Sequence, residues 1–401
     1  MKRQLDRPDL GGGGKIWEVA REWGVSPRTI LDFSSSLNPL GPSLRVMVAF
    51  SQAAVAYQPD DHDCREALAQ WCKVPIEQIF IGTGTSSLLF AAVRALKPRS
   101  AVMFEPAFSE YSRALKSVEV PTKTIRVTEK QGFLPDFEKL RRDLKKDRTG
   151  VLILNSPHNP TGVAYPRKEL LETIRVAKRA DTNVVLDESF IDYLPEESLV
   201  SEVSRERNLI VLRSLTPFFS IAGLRIGYAV AAPSVLKSLQ AQLDRWPVAT
   251  PALAAAAEAV QDHIFVRRTL AYNLEARAEF EAELTRLGCS VVPGVANFLL
   301  VKLPLGSAHD LAAWLAPHHV LIRTGDTFLG LGDRYLRLGV RSREQNRKFI
   351  SLLEQWLADR QAAPLPEKAK EVVAVVKKAV APRKAKPKTT PSKKRLKKVS
   401  Q

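Results

Sequence analysis

Val151-Leu-Ile-Leu-Asn155-Ser-Pro157-His-Asn159-Pro160-Thr-Gly162 is a short apolar run that breaks straight into an Asn/Pro/Gly turn. An apolar run of this length, bounded by turn residues, predicts a strand buried on both faces. Three other runs have the same shape: Ala101-Val-Met-Phe104, Val184-Val-Leu-Asp187 and Leu209-Ile-Val-Leu212. Helical stretches such as Glu169–Ala180 lie between them. That alternation predicts a doubly wound α/β domain with a mainly parallel sheet. Folds of this kind bind ligands beyond the carboxyl ends of the strands. The polar residues at those ends, Asn159, Asp187 and Ser214, are therefore the first candidates for a site.

The chain has 401 residues, 45% hydrophobic and 26% charged, as expected of a globular protein with a substantial core. From Thr250 onward the pattern changes. A long helical run, Pro251 to Leu287, precedes short strands at Phe298–Val301, His319–Ile322 and Tyr335–Val340, and a closing helix from Arg343 to Arg360. This predicts a smaller α+β domain. The expected division is 1–44, an N-terminal segment packing with the small domain; 45–250, the large domain; 251–360, connecting helix and small domain; and 361–401, a tail.

The net charge of +17 is unevenly spread. The tail holds 13 of the 60 basic residues and two of the 43 acidic ones, so it carries +11 and the rest of the chain only +6. Rich in Lys, Pro, Ala and Thr and lacking aromatics, it cannot bury enough apolar surface to order itself, beyond a transient helix at Lys368–Val380. Its lysines suit salt-sensitive, sequence-independent contact with nucleic acid or another polyanion; the alternative is a solvating tail. Cys64, Cys72 and Cys289 have no metal-ligand spacing and read as reduced cytoplasmic thiols. No metal site, signal peptide or membrane span is expected.

A second motif belongs to the same sheet. Ile79-Phe-Ile81 leads into Gly82-Thr83-Gly84-Thr85-Ser86-Ser87 and then an apolar helical stretch. Backbone N–H groups at such a helix start suit a phosphate. Further on, Ser214-Leu-Thr-Pro217 is followed by Arg225.

In order and spacing these segments resemble the pyridoxal phosphate enzymes of the aspartate aminotransferase fold (fold type I). The resemblance implies pyridoxal 5'-phosphate as cofactor. It places Gly84, Thr85, Ser86, Ser214 and Arg225 around the cofactor phosphate, Phe108 on its ring, Asn159 at its phenolic oxygen and Asp187 at its ring nitrogen. It gives Tyr57 to the phosphate of a partner subunit in a homodimer. Asp32-Phe-Ser-Ser-Ser-Leu-Asn38-Pro39-Leu-Gly41-Pro42 and Phe190 are more similar to the L-threonine-O-3-phosphate decarboxylases of cobalamin biosynthesis, whose sister group is the histidinol-phosphate aminotransferases. On that branch Asn38, Arg323 and Arg337 become substrate residues, Arg337 for a carboxylate and Arg323 for a phosphate.

The departures bear on activity. Pro217 stands where the family has the lysine that forms the Schiff base, and no lysine occurs between Lys178 and Lys237. Gly12-Gly13-Gly14-Lys15 lacks the family's histidine, and Tyr57-Gln58-Pro59-Asp60 carries one inserted residue. Three expectations follow from the resemblance: a threonine-phosphate decarboxylase impaired by the missing amine, an inactive homologue binding cofactor non-covalently or a phosphorylated amino acid, or an aminotransferase of the histidinol-phosphate type.

Overall fold

Alternate residues of the central strands enter two separate hydrophobic layers. Leu152, Leu154, Val184, Leu186, Leu209 and Val211 pack on one face; Val151, Ile153, Val185, Ile210 and Leu212 pack on the other. Strands apolar at every position therefore need helices on both sides. Helices 62–72, 137–146, 167–179 and 250–261 cover the first face, and helices 84–96, 109–116 and 233–240 the second.

The computed structural model describes residues 14–147 and 149–362. After a two-residue strand, β1 (Leu31–Asp32), the main sheet comprises β2 (Ile79–Gly82), β3 (Ala101–Glu105), β4 (Thr122–Arg126), β5 (Val151–Asn155), β6 (Asn183–Asp187), β7 (Leu209–Ser214) and β8 (Gly227–Val230). Their order is β2-β8-β7-β6-β5-β3-β4, with only β8 antiparallel to its neighbours. The edge strand β4 has no apolar run to betray it: Thr122-Lys-Thr-Ile-Arg126 is largely exposed, with charged residues on the free edge.

A second sheet, order β12-β13-β10-β9, is antiparallel and contains β9 (Ser290–Val291), β10 (Phe298–Lys302), β12 (Arg323–Thr324) and β13 (Tyr335–Gly339). Strand β11 (Val320–Leu321) pairs in parallel with β1 instead. The single strand expected over His319–Ile322 is thus divided, because Val320–Leu321 belongs to one pairing and Arg323–Thr324 to another. The single helical run expected over Pro251–Leu287 is also divided, into Thr250–Gln261 and His263–Arg286. Asp262 breaks it with ψ 72°, and its carboxylate accepts the Phe265 N–H at 3.0 Å, capping the second helix.

The segment around β1 lies against the second sheet. Phe33 packs on Phe349 and Phe280, with ring centroids 4.8 and 5.9 Å away. Gly339 donates its N–H to the Phe33 carbonyl at 2.8 Å. A Cβ at Gly339 would collide with the Ser35 carbonyl oxygen, so this approach requires glycine. Residues through Trp356 group as one compact unit. Gly12, Gly13, the tail beyond Ala362 and the helix expected at 368–380 lie outside the described residues.

Candidate functional site

The carboxyl ends of β5, β6 and β7 and the start of helix 84–96 open into one cavity of about 480 Å³. Of the residues singled out from sequence, Gly84, Thr85, Ser86, Phe108, Asn159, Asp187, Ser214, Pro217, Arg225, Arg323 and Arg337 line it. Segments up to 323 residues apart in the chain converge here, from Gly14 to Arg337.

Helix 84–96 starts without a side-chain cap, so its first N–H groups are available to an anion. Gly84 has φ +84°, and a Cβ there would stand 3.0 Å from a guanidinium nitrogen of Arg225. The glycine lets this arginine lie directly over the helix start. Arg225 itself adopts a left-handed conformation, φ +50°, uncommon for a side chain of this size.

Asp187 ends β6 and is buried. Tyr111 Oη donates to its Oδ2 at 2.7 Å, and Ser189 donates both its N–H (2.8 Å) and its hydroxyl to Oδ1. Burial pushes this carboxyl above the usual range, while the bonds from Ser189 and Tyr111 pull the other way. A carboxylate offers about four lone-pair sites, so one acceptor position remains for a ligand donor. Tyr111 and Ser189 carry no motif of their own. Sequence reasoning missed both, and only their nearness to Phe108 and Asp187 in the chain could have pointed to them.

The turn after β5 is held by its own side chains. Asn155 Nδ2 donates to the Asp187 and Pro157 carbonyls at 2.9 and 3.1 Å, and its Oδ1 accepts the Asn159 N–H at 2.6 Å. Asn159 Oδ1 accepts from Arg337 at 2.8 Å, leaving its amide N–H groups without a partner among the described residues. Within the same turn His158 Nδ1 lies 2.8 Å from Thr161 Oγ1, and its ring stacks on Tyr165 at 5.6 Å. Burial lowers the His158 pKa to about 4. The unfolded chain, with an ordinary histidine pKa near ~6.5, therefore takes up this proton first. The stability that neutral His158 contributes is full above that value and is lost as pH falls toward 4. Replacing it by Gln should shrink the drop in urea-unfolding free energy between pH 7 and pH 5 by roughly 2 kcal/mol.

Two buried arginines face the cavity. Arg337 Nη2 donates to the Ser34 carbonyl at 2.8 Å, and its guanidinium lies 5.1 Å from the Phe298 ring centroid. The Arg323 guanidinium lies 4.0 Å from the centroid of Phe328. Burial lowers the Arg323 pKa to about 10. Burial also pushes Arg337 well below the usual range, and the Arg323 charge adds to this, against Asp32. Two like charges are thus held together largely by aromatic faces and backbone carbonyls. Such a pair is poised to receive anionic groups.

Pro217 occupies the first turn of the four-residue helix Thr216–Phe219, where proline is well tolerated because an N–H there has no helical partner. Its carbonyl accepts the Asn38 N–H at 3.0 Å. Among the described residues no lysine lines the cavity. Lys15, next to the lining residue Gly14, has its Nζ 3.9 Å from Glu18.

Two expected residues are not in the wall. Asn38 is buried behind Pro217, donating through Nδ2 to the Phe218 carbonyl (2.8 Å) and Thr269 Oγ1 (2.9 Å). Its amide is already engaged in holding the Thr216–Phe219 turn. Tyr57 lies outside the cavity and is 79% exposed.

Residues 28–353 match the family described as aminotransferase class I and II. The chain belongs to that family. It is 34% identical over 356 residues to threonine-phosphate decarboxylase of Salmonella typhimurium, covering 86% of this chain and 96% of that protein. It is 31% identical over 361 residues to histidinol-phosphate aminotransferase of Moorella thermoacetica, covering 86% and 90%. The crystal structure of L-threonine-O-3-phosphate decarboxylase from Porphyromonas gingivalis matches with a TM-score of 0.72 at 26% identity, over 82% of this chain and 100% of that one. The architecture is the fold type I of these proteins. The conserved-fold cavity and the proline at position 217 are therefore features of one aminotransferase-family chain.

Proposed function

We propose that the cavity holds pyridoxal 5'-phosphate without a covalent bond and receives a phosphorylated amino acid of the L-threonine O-3-phosphate type beside it, with decarboxylation impaired or absent. The observation that carries this reading is Pro217 in the cavity wall with no lysine lining it among the described residues. In the family the lysine both holds the cofactor and moves protons, and proline offers neither an amine nor an N–H.

The remaining wall suits the group. The N–H groups at Gly84–Ser86, with Ser214 and Arg225, would hold its phosphate. The free acceptor position of Asp187 would take a protonated ring nitrogen, and the Asn159 amide would donate to the phenolic oxygen. Bound in this way, the cofactor supplies an electron sink to an attached amine. Arg337 and Arg323 would orient the carboxylate and phosphate of the amino acid. A guanidinium fork matches both anions in a planar, two-point geometry. The 34% identity to a threonine-phosphate decarboxylase and the residue 32–42 segment favour this branch. An aminotransferase activity would need the same missing amine.

A homodimer is part of this proposal. Leu44, Met47, Val55 and Tyr57 form an exposed, largely apolar stretch suited to a second copy. Cytoplasmic location is proposed from the three free, buried cysteines. Among the described residues no helix is long and apolar enough to cross a membrane.

The test is absorbance of the purified protein mixed with pyridoxal phosphate, before and after borohydride. The expected result is a cofactor that binds, shows no imine band and is removed by dialysis after reduction. An imine band fixed by reduction onto a mapped lysine would overturn the reading, and Lys15 is the first place to look.

A further inference from the structure

Opposite the cavity, at the amino-terminal edge of the parallel strands, lies a groove of about 800 Å³. It is bordered by the residues just before β3, β5 and β6. Five cations line it: Lys97, Arg99, Lys145, Lys146 and Arg179. None of the five makes an ion pair among the described residues. Two carboxylates share the groove. Asp147 is engaged by Lys123 Nζ at 3.2 Å, and Asp181 has no ion pair.

Some other surface cations are paired. Arg45 pairs with Glu258, Arg286 with Glu283 and Glu354, and Arg343 with Glu275 and Glu279. In the adjoining hollow, which shares Lys145 and Arg179, the other three cations are paired: Arg141, Arg142 and Arg175 lie against Glu169, Glu138 and Glu206.

The floor of the groove is fixed. Gly150 N–H donates to the Ser100 carbonyl at 3.0 Å, Asn183 N–H to the Gly150 carbonyl at 3.1 Å, and Thr182 Oγ1 to the Thr149 carbonyl at 2.7 Å. Three chain segments thus present their cations from a single hydrogen-bonded platform. No aromatic residue lines it, so it offers nothing for an unstacked base to lie on. Its five cations outnumber its two carboxylates and are spaced along the groove, which complements a phosphate backbone.

We propose that this groove binds the backbone of a DNA duplex without reading its sequence. The site is built from the body of the chain and is independent of whether the cavity holds a cofactor. The segment 361–401, with 13 basic residues in 41, carries the same chemistry on the same polypeptide. Release of counterions from the duplex drives such binding, so it weakens steeply with salt.

The experiment uses the full chain and a labelled DNA duplex of arbitrary sequence, with anisotropy read across a salt series. Binding is expected at low salt, with log Kd against log salt showing a slope magnitude of about 4 or more. Lys145→Glu/Lys146→Glu/Arg179→Glu should weaken binding at least ~10-fold and reduce the slope by about 3. Lys145→Gln/Lys146→Gln, milder for folding, should give a smaller loss in the same direction. A full-length chain with Lys393, Lys394, Lys397 and Lys398 changed to Ala separates the tail's share. The proposal fails if the duplex does not bind at low salt, or if both groove variants keep the parent Kd and slope while the tail variant loses them. It also fails if polyglutamate competes with the duplex at equal charge, since an acidic protein would then be the partner.

Discussion

Pro217→Lys should convert a dialysable cofactor complex into a covalent one. The position already lines the cavity and sits on a turn anchored from behind by Asn38 and, through the Pro217 carbonyl, by Tyr193 Oη at 3.5 Å. Those contacts use the backbone at 217, so they survive the substitution. Lysine is a good helix former, and the first turn needs no proline there; losing the preset φ should cost less than about 1 kcal/mol. A primary amine at this place can condense with the cofactor aldehyde, losing water and forming a C=N bond that borohydride reduces to a stable amine. The expected result is an imine absorbance band absent from the parent protein and, after reduction, a modified peptide containing residue 217.

The same variant distinguishes two histories of the site. If the phosphate and ring contacts are intact, the covalent complex forms and turnover of L-threonine O-3-phosphate rises from the parent level by several orders of magnitude, as expected when a missing nucleophile and proton carrier is restored. If the covalent complex forms without turnover, the loss extends beyond position 217. The departures at Gly12–Lys15 and at Tyr57–Asp60 are then the places to change next.

Much of this site is legible in the sequence, because α/β folds gather ligand residues at strand ends. Asn159, Asp187 and Ser214 could be placed from the apolar runs that precede them, and Gly84–Ser86 from a strand, a glycine turn and a helix in succession. What escaped depended on partners distant in the chain. Tyr111 could be seen as an aromatic on a helix but not as a donor to Asp187, 76 residues away. Asn38 sits in a recognisable segment, yet its amide faces Phe218 and Thr269 rather than the cavity. The break at Asp262 escaped because helical periodicity continues on both sides of one capping carboxylate. Strands β4 and β8 escaped for opposite reasons: one is a polar edge, and the other is a four-residue antiparallel insertion between parallel neighbours.

Arg337→Met should separate anion recognition from stability. The arginine is buried, lies beside a second guanidinium, and has burial and the Arg323 charge both acting against its protonated form. Nothing in the free cavity returns that cost in full, since its hydrogen bonds go to one amide oxygen and one backbone carbonyl. Methionine keeps much of the volume on Phe298 and removes the like-charge repulsion, while leaving two acceptors to cavity water. These effects oppose one another, so the unfolding free energy should change by no more than about 1 kcal/mol. Binding should respond very differently. A buried guanidinium meeting a carboxylate contributes on the order of 3 kcal/mol, so affinity for O-phospho-L-threonine should fall about a hundredfold by calorimetry. Pyridoxal phosphate, which we place at the other end of the cavity against Arg225 and the start of helix 84–96, should lose less than about threefold. The parent's affinity for the phosphorylated amino acid should also fall as pH rises past 10, because Arg323 is charged below its lowered pKa and neutral above it. Equal losses for both ligands would instead mean that Arg337 shapes the cavity as a whole, with no carboxylate of its own to bind.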